Sequence, residues 1–289
     1  MRSTMVIDFH SHAFPDKLAE SALQSLLLNA QSQEDIFGKA STYTNGTAAG
    51  LLASAKRAGI DCSVVLPIAT SPKPSKTIND FAAALDRTTG LRSFGSVHPL
   101  NPERRKELAR IAGMGLRGIK LHPEYQGCYA DSEAMIATVR EATEEGLWVI
   151  LHAGKDIGMP PPVHCTPKQV IRLREAVPDA RLILAHFGGY LLWEEVLESL
   201  MQMQVWVDTS FCLPNHPEKH SLFAQIIRKN GIHRVLFGTD SPWADQTLAV
   251  KTTREFLLKY HFTKTETEAI MGINALQILQ GTVPTSTDS

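Results

Sequence analysis

Two histidines flank a single residue at the end of the first apolar run, Val6-Ile7-Asp8-Phe9-His10-Ser11-His12. Side chains at i and i+2 of a β-strand point the same way. His10 and His12 therefore offer two imidazoles to one point, half of a tetrahedral zinc site. Further donors close later apolar runs. His98, His122, His152 and His186 each sit at such an end, Lys120 lies two residues before His122, and Asp240 follows Val235-Leu236-Phe237-Gly238-Thr239. His10, His12, His152 and Asp240 together make a nitrogen-and-carboxylate set that suits a catalytic divalent ion with one position left for water. Asp240 also reads as a helix cap ahead of Ser241-Pro242, and His152 and His186 also read as hydrogen-bonded core histidines. Asp8 shares the inward face with His10 and His12 by the period of two. It either steadies a ligand imidazole or makes a structural hydrogen bond.

The elements that would position these groups are regular. Val/Ile/Leu-rich runs of strand length occur at Met5–His10, Ser63–Ile68, Arg92–His98, Leu116–His122, Leu147–His152, Arg181–His186, Val205–Thr209 and Arg234–Asp240. Helical periodicity follows each of them, over Thr47–Ala58, Lys76–Thr89, Pro102–Ala112, Ser132–Glu145, Pro167–Ala176, Leu191–Met201, Pro217–Lys229 and Thr247–Leu258. Strands too apolar to have a wet face imply a parallel sheet covered by helices. Eight such repeats predict an α/β fold, a closed (β/α)8 TIM barrel, whose active site lies at the C-terminal ends of the strands. An open doubly wound sheet is the alternative, but no glycine-rich phosphate loop follows the first strand. The pattern predicts one barrel domain over 1–281, with extra C-terminal helices over Thr263–Leu279 and a frayed polar tail over 282–289. The segment Ala13–Gly46 reads as a long first loop, of a length typical of lids or binding loops, with Phe14, Phe37 and Tyr43 available to wall a pocket.

Composition narrows the function classes. The chain has 289 residues, 43% of them hydrophobic and 20% charged, with a net charge of −1. Without a basic run, nucleic acid and anionic membranes are poor partners, and a small-molecule substrate is expected. No apolar stretch approaches the ~20 residues a membrane helix needs. Cys62, Cys128, Cys165 and Cys212 have no CxxC spacing, which argues against a disulfide framework or a cysteine zinc site. With Met1 leading straight into a strand rather than into a charged-then-apolar leader, the cytoplasm is the expected location.

The motifs Asp8-Phe9-His10-Ser11-His12, Gly118-Ile119-Lys120-Leu121-His122-Pro123, Leu151-His152-Ala153-Gly154, Leu184-Ala185-His186-Phe187-Gly188-Gly189 and Phe237-Gly238-Thr239-Asp240-Ser241-Pro242, with Asn274-Ala275 in the last helix, together resemble the amidohydrolase superfamily. The likeness is to its amidohydrolase-related branch, which includes 2-amino-3-carboxymuconate-6-semialdehyde decarboxylase. It spans residues 5 to 280. The resemblance implies a distorted barrel and one divalent metal on His10, His12, His152 and Asp240. Zinc is the first expectation, with manganese or iron as alternatives. It places His186 beside the metal-bound water, with Asp240 and His186 as the catalytic pair. Lys120 falls near the position that binuclear members fill with a carboxylated, metal-bridging lysine. This branch generally holds one metal, so substrate binding or an ion pair is the expected role for Lys120, and a second metal is not expected. His122 either touches substrate or hydrogen-bonds in its loop with Glu124. Many barrels of the branch are dimers, though nothing in the sequence fixes an interface.

Two reactions follow. The leading one is hydrolysis of a small amide, lactone or ester bearing a carboxylate, by metal-activated water. The alternative is nonoxidative decarboxylation of an aromatic or unsaturated acid, with Asp240 or His186 protonating carbon; against it stands the greater length usual in decarboxylases of this branch. A barrel that has lost its chemistry is the remote third reading, which the buried polar residues oppose. Cys212 reads as a small buried residue, Trp243 as a pocket wall or simple packing, and His164-Cys165 as part of the mouth.

Overall fold

The computed structural model describes residues 5–73 and 76–282, the side chains of residues 36 and 37 excepted. Eight parallel strands run in chain order: β1 (Ile7–Ser11), β2 (Cys62–Val65), β3 (Leu91–Ser93), β4 (Gly118–Leu121), β5 (Trp148–Leu151), β6 (Arg181–Leu184), β7 (Trp206–Asp208) and β8 (Val235–Leu236). All eight predicted strands are present, shorter than their apolar runs. They pair as β1-β2-β3 and β4-β5-β6-β7-β8, and two seams join these sheets into a barrel. At one, the Gly95 amide donates to Gly118 O (2.8 Å) and the Lys120 amide to Gly95 O (2.8 Å). At the other, Phe9 N–H meets Phe237 O (2.8 Å), Asp240 N–H meets His10 O (2.7 Å) and His12 N–H meets Ser241 O (2.6 Å). The short β3 and two-residue β8 are where the barrel is distorted.

The strands are buried on both faces, which is why they read as continuous apolar runs. Their inner side chains (Ile7, Phe9, Val64, Leu66, Phe94, Trp148, Ile150, Ile183, Trp206 and Leu236) fill the barrel, and Ala275 and Ile278 of the C-terminal helix pack on this cluster. Outside, helices at the predicted places cover the sheet. Local chemistry fixes their ends. The Thr166 hydroxyl and Gln169 form a capping box before Pro167–Ala176, and helix Ala48–Ala58 starts on Thr47 and stops at Gly59, whose φ of 70° suits glycine. The predicted C-terminal helices appear as Lys264–Glu268, Ala269–Ile273 and Asn274–Gln280. The predicted polar tail lies, apart from Thr282, outside the described residues.

Two expectations change. The first loop is not all loop, because Asp16–Gln31 forms a helix of 16 residues. The absence of a capping residue before it, where Pro15 stands, hid it from the sequence. The other change concerns Asp8. The register of β1 on β2 shifts between Asp8 and Ser11, so the period of two does not carry through to His10 and His12. The Asp8 carboxylate instead accepts from Thr239 N–H (2.9 Å), Thr239 Oγ1 (2.6 Å) and Gln246 Nε2 (2.8 Å). Burial pushes its pKa up to about 6 despite these donors.

Asp8 is therefore a structural clasp. Its replacement by alanine would leave buried donors of Thr239 and Gln246 without an acceptor, each costing about 1–3 kcal/mol. Asp8→Ala is expected to lose about 3 kcal/mol of stability, and so roughly 6–10 °C in Tm, measured by thermal unfolding.

Candidate active site

The strand ends converge on a cavity of about 420 Å³. His10, His12, Lys120, His122, His152, His186 and Asp240 all line it. Of the predicted metal ligands, the structure brings His10, His12 and Asp240 into one group. His10 is buried, and its Nδ1 donates to Asp208 Oδ2 at 2.7 Å. His12 Nδ1 donates to the Leu66 carbonyl at 2.9 Å. Each bond places a proton on Nδ1 and turns Nε2 toward the cavity. The two Nε2 atoms face Asp240 Oδ1, at 3.3 Å from His10 and 3.1 Å from His12. Ligands about 2.0–2.1 Å from a tetrahedral ion stand about 3.3 Å apart. The three donors thus have the spacing of ligands around a divalent cation, which would also relieve the crowding of their lone pairs.

Backbone geometry supports this. Asp240 has φ 71°, a left-handed turn that Asp tolerates better than most residues, and Gly238 gives room below it. A Cβ at Gly238 would stand 2.8 Å from the His10 Cβ. Electrostatics agree as well. Burial, reinforced by Lys120, lowers His10 to about 4 against the pull of Asp208 and Asp240, so its imidazole is neutral. Burial raises Asp208 and Asp240, but the histidines beside them outweigh it and hold both carboxyls well below the usual range.

His152 stands next to this group rather than in it. Its Nδ1 lies 3.2 Å from His186 Nε2, and its Nε2 lies 3.2 Å from the Lys155 carbonyl. Its ring stacks on His122 at 4.1 Å and 15°, and His122, His152 and Asp156 form a second close group. His186 takes its place between the two groups, with its ring 5.2 Å from that of His10 and 4.8 Å from that of His152, and its Nδ1 3.1 Å from Ser210 O. Lys120 is 1% exposed, and its ammonium has no hydrogen-bond partner among the described residues. Burial lowers it to about 8, offset in part by Asp208 and Asp240.

Much of the remaining wall is apolar, with Thr70, Thr77, Tyr125, Lys155, Asp156 and Tyr190 as its polar members. Phe14, Leu18, Leu26, Leu66, Ile78, Phe81, Phe211 and Trp243 form the apolar part, with Leu18 and Leu26 coming from helix Asp16–Gln31. Trp243 is thus a pocket wall. Of the expected first-loop aromatics Phe14 reaches the cavity, Tyr43 is exposed, and the Phe37 side chain is outside the described residues. Cys212 is buried, and burial pushes its thiol pKa well up. His164 and Cys165 do not line the cavity.

Sequence reasoning missed Asp208 and Asp156. Asp208 carried a usable signal, a carboxylate ending the seventh apolar run. Asp156 lies in a loop four residues after His152, where spacing alone says little.

Comparison with known proteins adds the family. The amidohydrolase family model matches residues 7–280. The chain belongs to that family. No curated protein matches it in sequence. Among solved structures it is similar to 5-carboxyvanillate decarboxylase LigW from Sphingomonas paucimobilis, at 16% identity over 96% of this chain and 99% of that one, TM-score 0.69. It is also similar to 2,6-dihydroxybenzoate decarboxylase from Rhizobium, at 16% identity over 97% and 99%, TM-score 0.67. A third is 5-carboxyvanillate decarboxylase from Novosphingobium aromaticivorans with bound manganese, at 15% identity over 96% and 97%, TM-score 0.68. At these identities the likeness is one of fold, the TIM barrel. Among the described residues no helix of this chain is long and apolar enough to cross a membrane.

Asp208 offers the direct test of whether His10 is a metal ligand. In Asp208→Asn an amide NH2 can face His10 Nδ1, which favours the tautomer with the proton on Nε2. Metal affinity is expected to fall about 10–100-fold, measured by competition with a chelating dye. Unchanged affinity would mean that His10 Nε2 is not a ligand.

Proposed function

We propose that this chain is a metal-dependent carboxy-lyase that removes CO2, without oxidation, from a small aromatic acid. The observation that carries the reading is the cavity itself. Aromatic and aliphatic walls enclose about 420 Å³, over a floor made of the His10–His12–Asp240 group and the unpartnered ammonium of Lys120. A flat ring with a carboxylate at one end matches apolar walls and a cationic floor. The structural likenesses support the same reaction, since the three neighbours above are decarboxylases. They also remove the objection from length, because the matches span 97–99% of those chains. Hydrolysis, preferred on sequence grounds, gives way on both counts.

The roles follow from position. His10, His12 and Asp240 would hold the metal, with His152 joining them only if its ring turns; zinc, manganese and iron all suit such donors. When bound, a divalent ion supplies a Lewis acid for the oxygens of the substrate's carboxylate and of a neighbouring ring hydroxyl. Lys120 binds a further anionic oxygen, which gives its buried charge a partner. The apolar walls exclude water from the carboxylate, and a dry site strengthens every charge interaction within it. Asp240, ionised at neutral pH, takes the proton of the ring hydroxyl and passes it to the ring carbon that bears the carboxylate. The C–C bond then breaks, its electron pair returns to the ring, and CO2 leaves. His186, fixed by Ser210, orients the substrate beside Asp240.

The test is CO2 release from a panel of hydroxybenzoates by protein loaded with manganese or zinc. Release is expected, and a loss of at least 100-fold in Asp240→Asn, in line with removal of an acid–base group. Hydrolysis of amides or lactones with no CO2 from any acid would overturn the reading. The pH profile is a separate prediction. The Lys120 ammonium is intact below its pKa, so anion binding holds at neutral pH and kcat/KM falls as pH rises through about 8. Lys120→Met should raise KM about 10-fold or more and flatten that limb.

A further inference from the structure

The cavity is divided by chain order. Among the described residues, every charged or imidazole side chain that lines it comes from residues 10–12 or from residue 120 onward. The stretch 13–81 adds no charge, and its polar contributors are the hydroxyls of Thr70 and Thr77. Its apolar contributors include Leu18, Leu26 and Ala30 of helix Asp16–Gln31, Ile68 after β2, and Ile78 and Phe81 of helix Lys76–Asp86. Helical spacing puts Leu18, Leu26 and Ala30 on one face of their helix, and Ile78 and Phe81 on one face of theirs.

The fold does not use up these surfaces. Leu18 is 57% exposed, and Leu26, Ile68, Ile78 and Phe81 are only half-buried, although all five line one concave space. Apolar area left open in a cleft is what an apolar ligand group covers. Helix Asp16–Gln31 also encloses this side. It begins just after β1, and by Asn29 it has reached the loop after β5, where a Cβ on Gly158 would stand 3.6 Å from the Asn29 Cβ. At about 1.5 Å per residue that is a span of about 20 Å across the strand ends.

Volume sets the size of what fits. A cavity of about 150 Å³ holds benzene, whereas this one measures about 420 Å³. A plain hydroxybenzoate, with its carboxylate at Lys120 and the His10–His12–Asp240 group, would leave roughly half of the space empty on the apolar side. Empty apolar space gives its lining no partner atoms.

We propose that the apolar half of the cavity is a subsite for an alkyl or aryl substituent. The acid this chain takes is then amphipathic, a hydroxylated ring with its carboxylate at one end and an apolar group of several carbons at the other. That substrate class rests on the carboxy-lyase reading, whereas the subsite rests on the cavity lining alone.

Binding and reaction are tested separately on manganese-loaded protein. Calorimetry measures the affinity of benzoate and its 4-methyl, 4-propyl and 4-pentyl derivatives, which lack a ring hydroxyl to supply the proton. CO2 release is followed with the matching 2-hydroxybenzoates. Kd is expected to fall about threefold per added carbon, somewhat less than a fully buried methylene gives, and kcat/KM for CO2 release to rise in the same order. A Kd that stays flat or rises along the series would overturn the subsite, even if CO2 is released. Equal binding of 4-pentylbenzoate and 4-(2-methoxyethoxy)benzoate, which match in length, would overturn it too, because length and not apolar burial would then be recognised. A steep series with no CO2 from any hydroxybenzoate would uphold the subsite and sink the carboxy-lyase reading alone. Leu26→Asn is expected to flatten the dependence on chain length, and an unchanged slope would place the chain elsewhere and overturn the assignment. The wild-type series needs no variant to fold.

Discussion

The Asp8 carboxylate accepts from the amide and hydroxyl of Thr239, 231 residues away in the chain, and from Gln246. Together with the backbone bonds from Phe9, Asp240 and His12, it fastens the first strand to the last. His10 and His12 leave one side of this seam and Asp240 leaves the other. Their 3.1–3.3 Å approach is therefore a property of barrel closure and not of any local segment. A buried carboxylate is costly unless fully hydrogen-bonded. Here the cost is offset by four donors, the His10 amide at 3.2 Å among them, and the seam gains a fixed register.

From that seam inward, the site is built by hydrogen bonds that decide where protons sit. Asp208 holds the His10 proton on Nδ1, and the Leu66 carbonyl does the same for His12. Each bond decides which ring nitrogen is turned to the cavity. His186 is held in the same way, with its Nδ1 3.1 Å from the Ser210 carbonyl. Fixing the orientation of imidazoles matters in a dry interior, where an unpaired charge is expensive.

Much of this was legible in the sequence because barrel strands carry their own signature. Runs such as Trp148–Leu151 are apolar on both faces, and the polar residues that follow them could only lie at the functional rim. That logic found His10, His12, Lys120, His122, His152, His186 and Asp240, all of which line the cavity. It could not tell how they divide among themselves. His152 was expected with His10 and stands instead against His122, since ring rotation is set by tertiary neighbours such as Lys155 O and His186. Asp8 was misplaced for a related reason. A register shift in β1 alters which side chains share a face, and such irregularities leave no mark in a pattern of residue types.

Helix Asp16–Gln31 has a different standing from everything beneath it. It belongs to neither the sheet nor the outer ring of helices, yet Leu18, Leu26 and Ala30 form part of the cavity wall, with Leu18 57% exposed at its edge. The His10, His12 and Asp240 side chains leave strand ends that closure locks in place, whereas this part of the wall is a single insertion between β1 and β2. Changes in that insertion would reshape the cavity without loosening the seam.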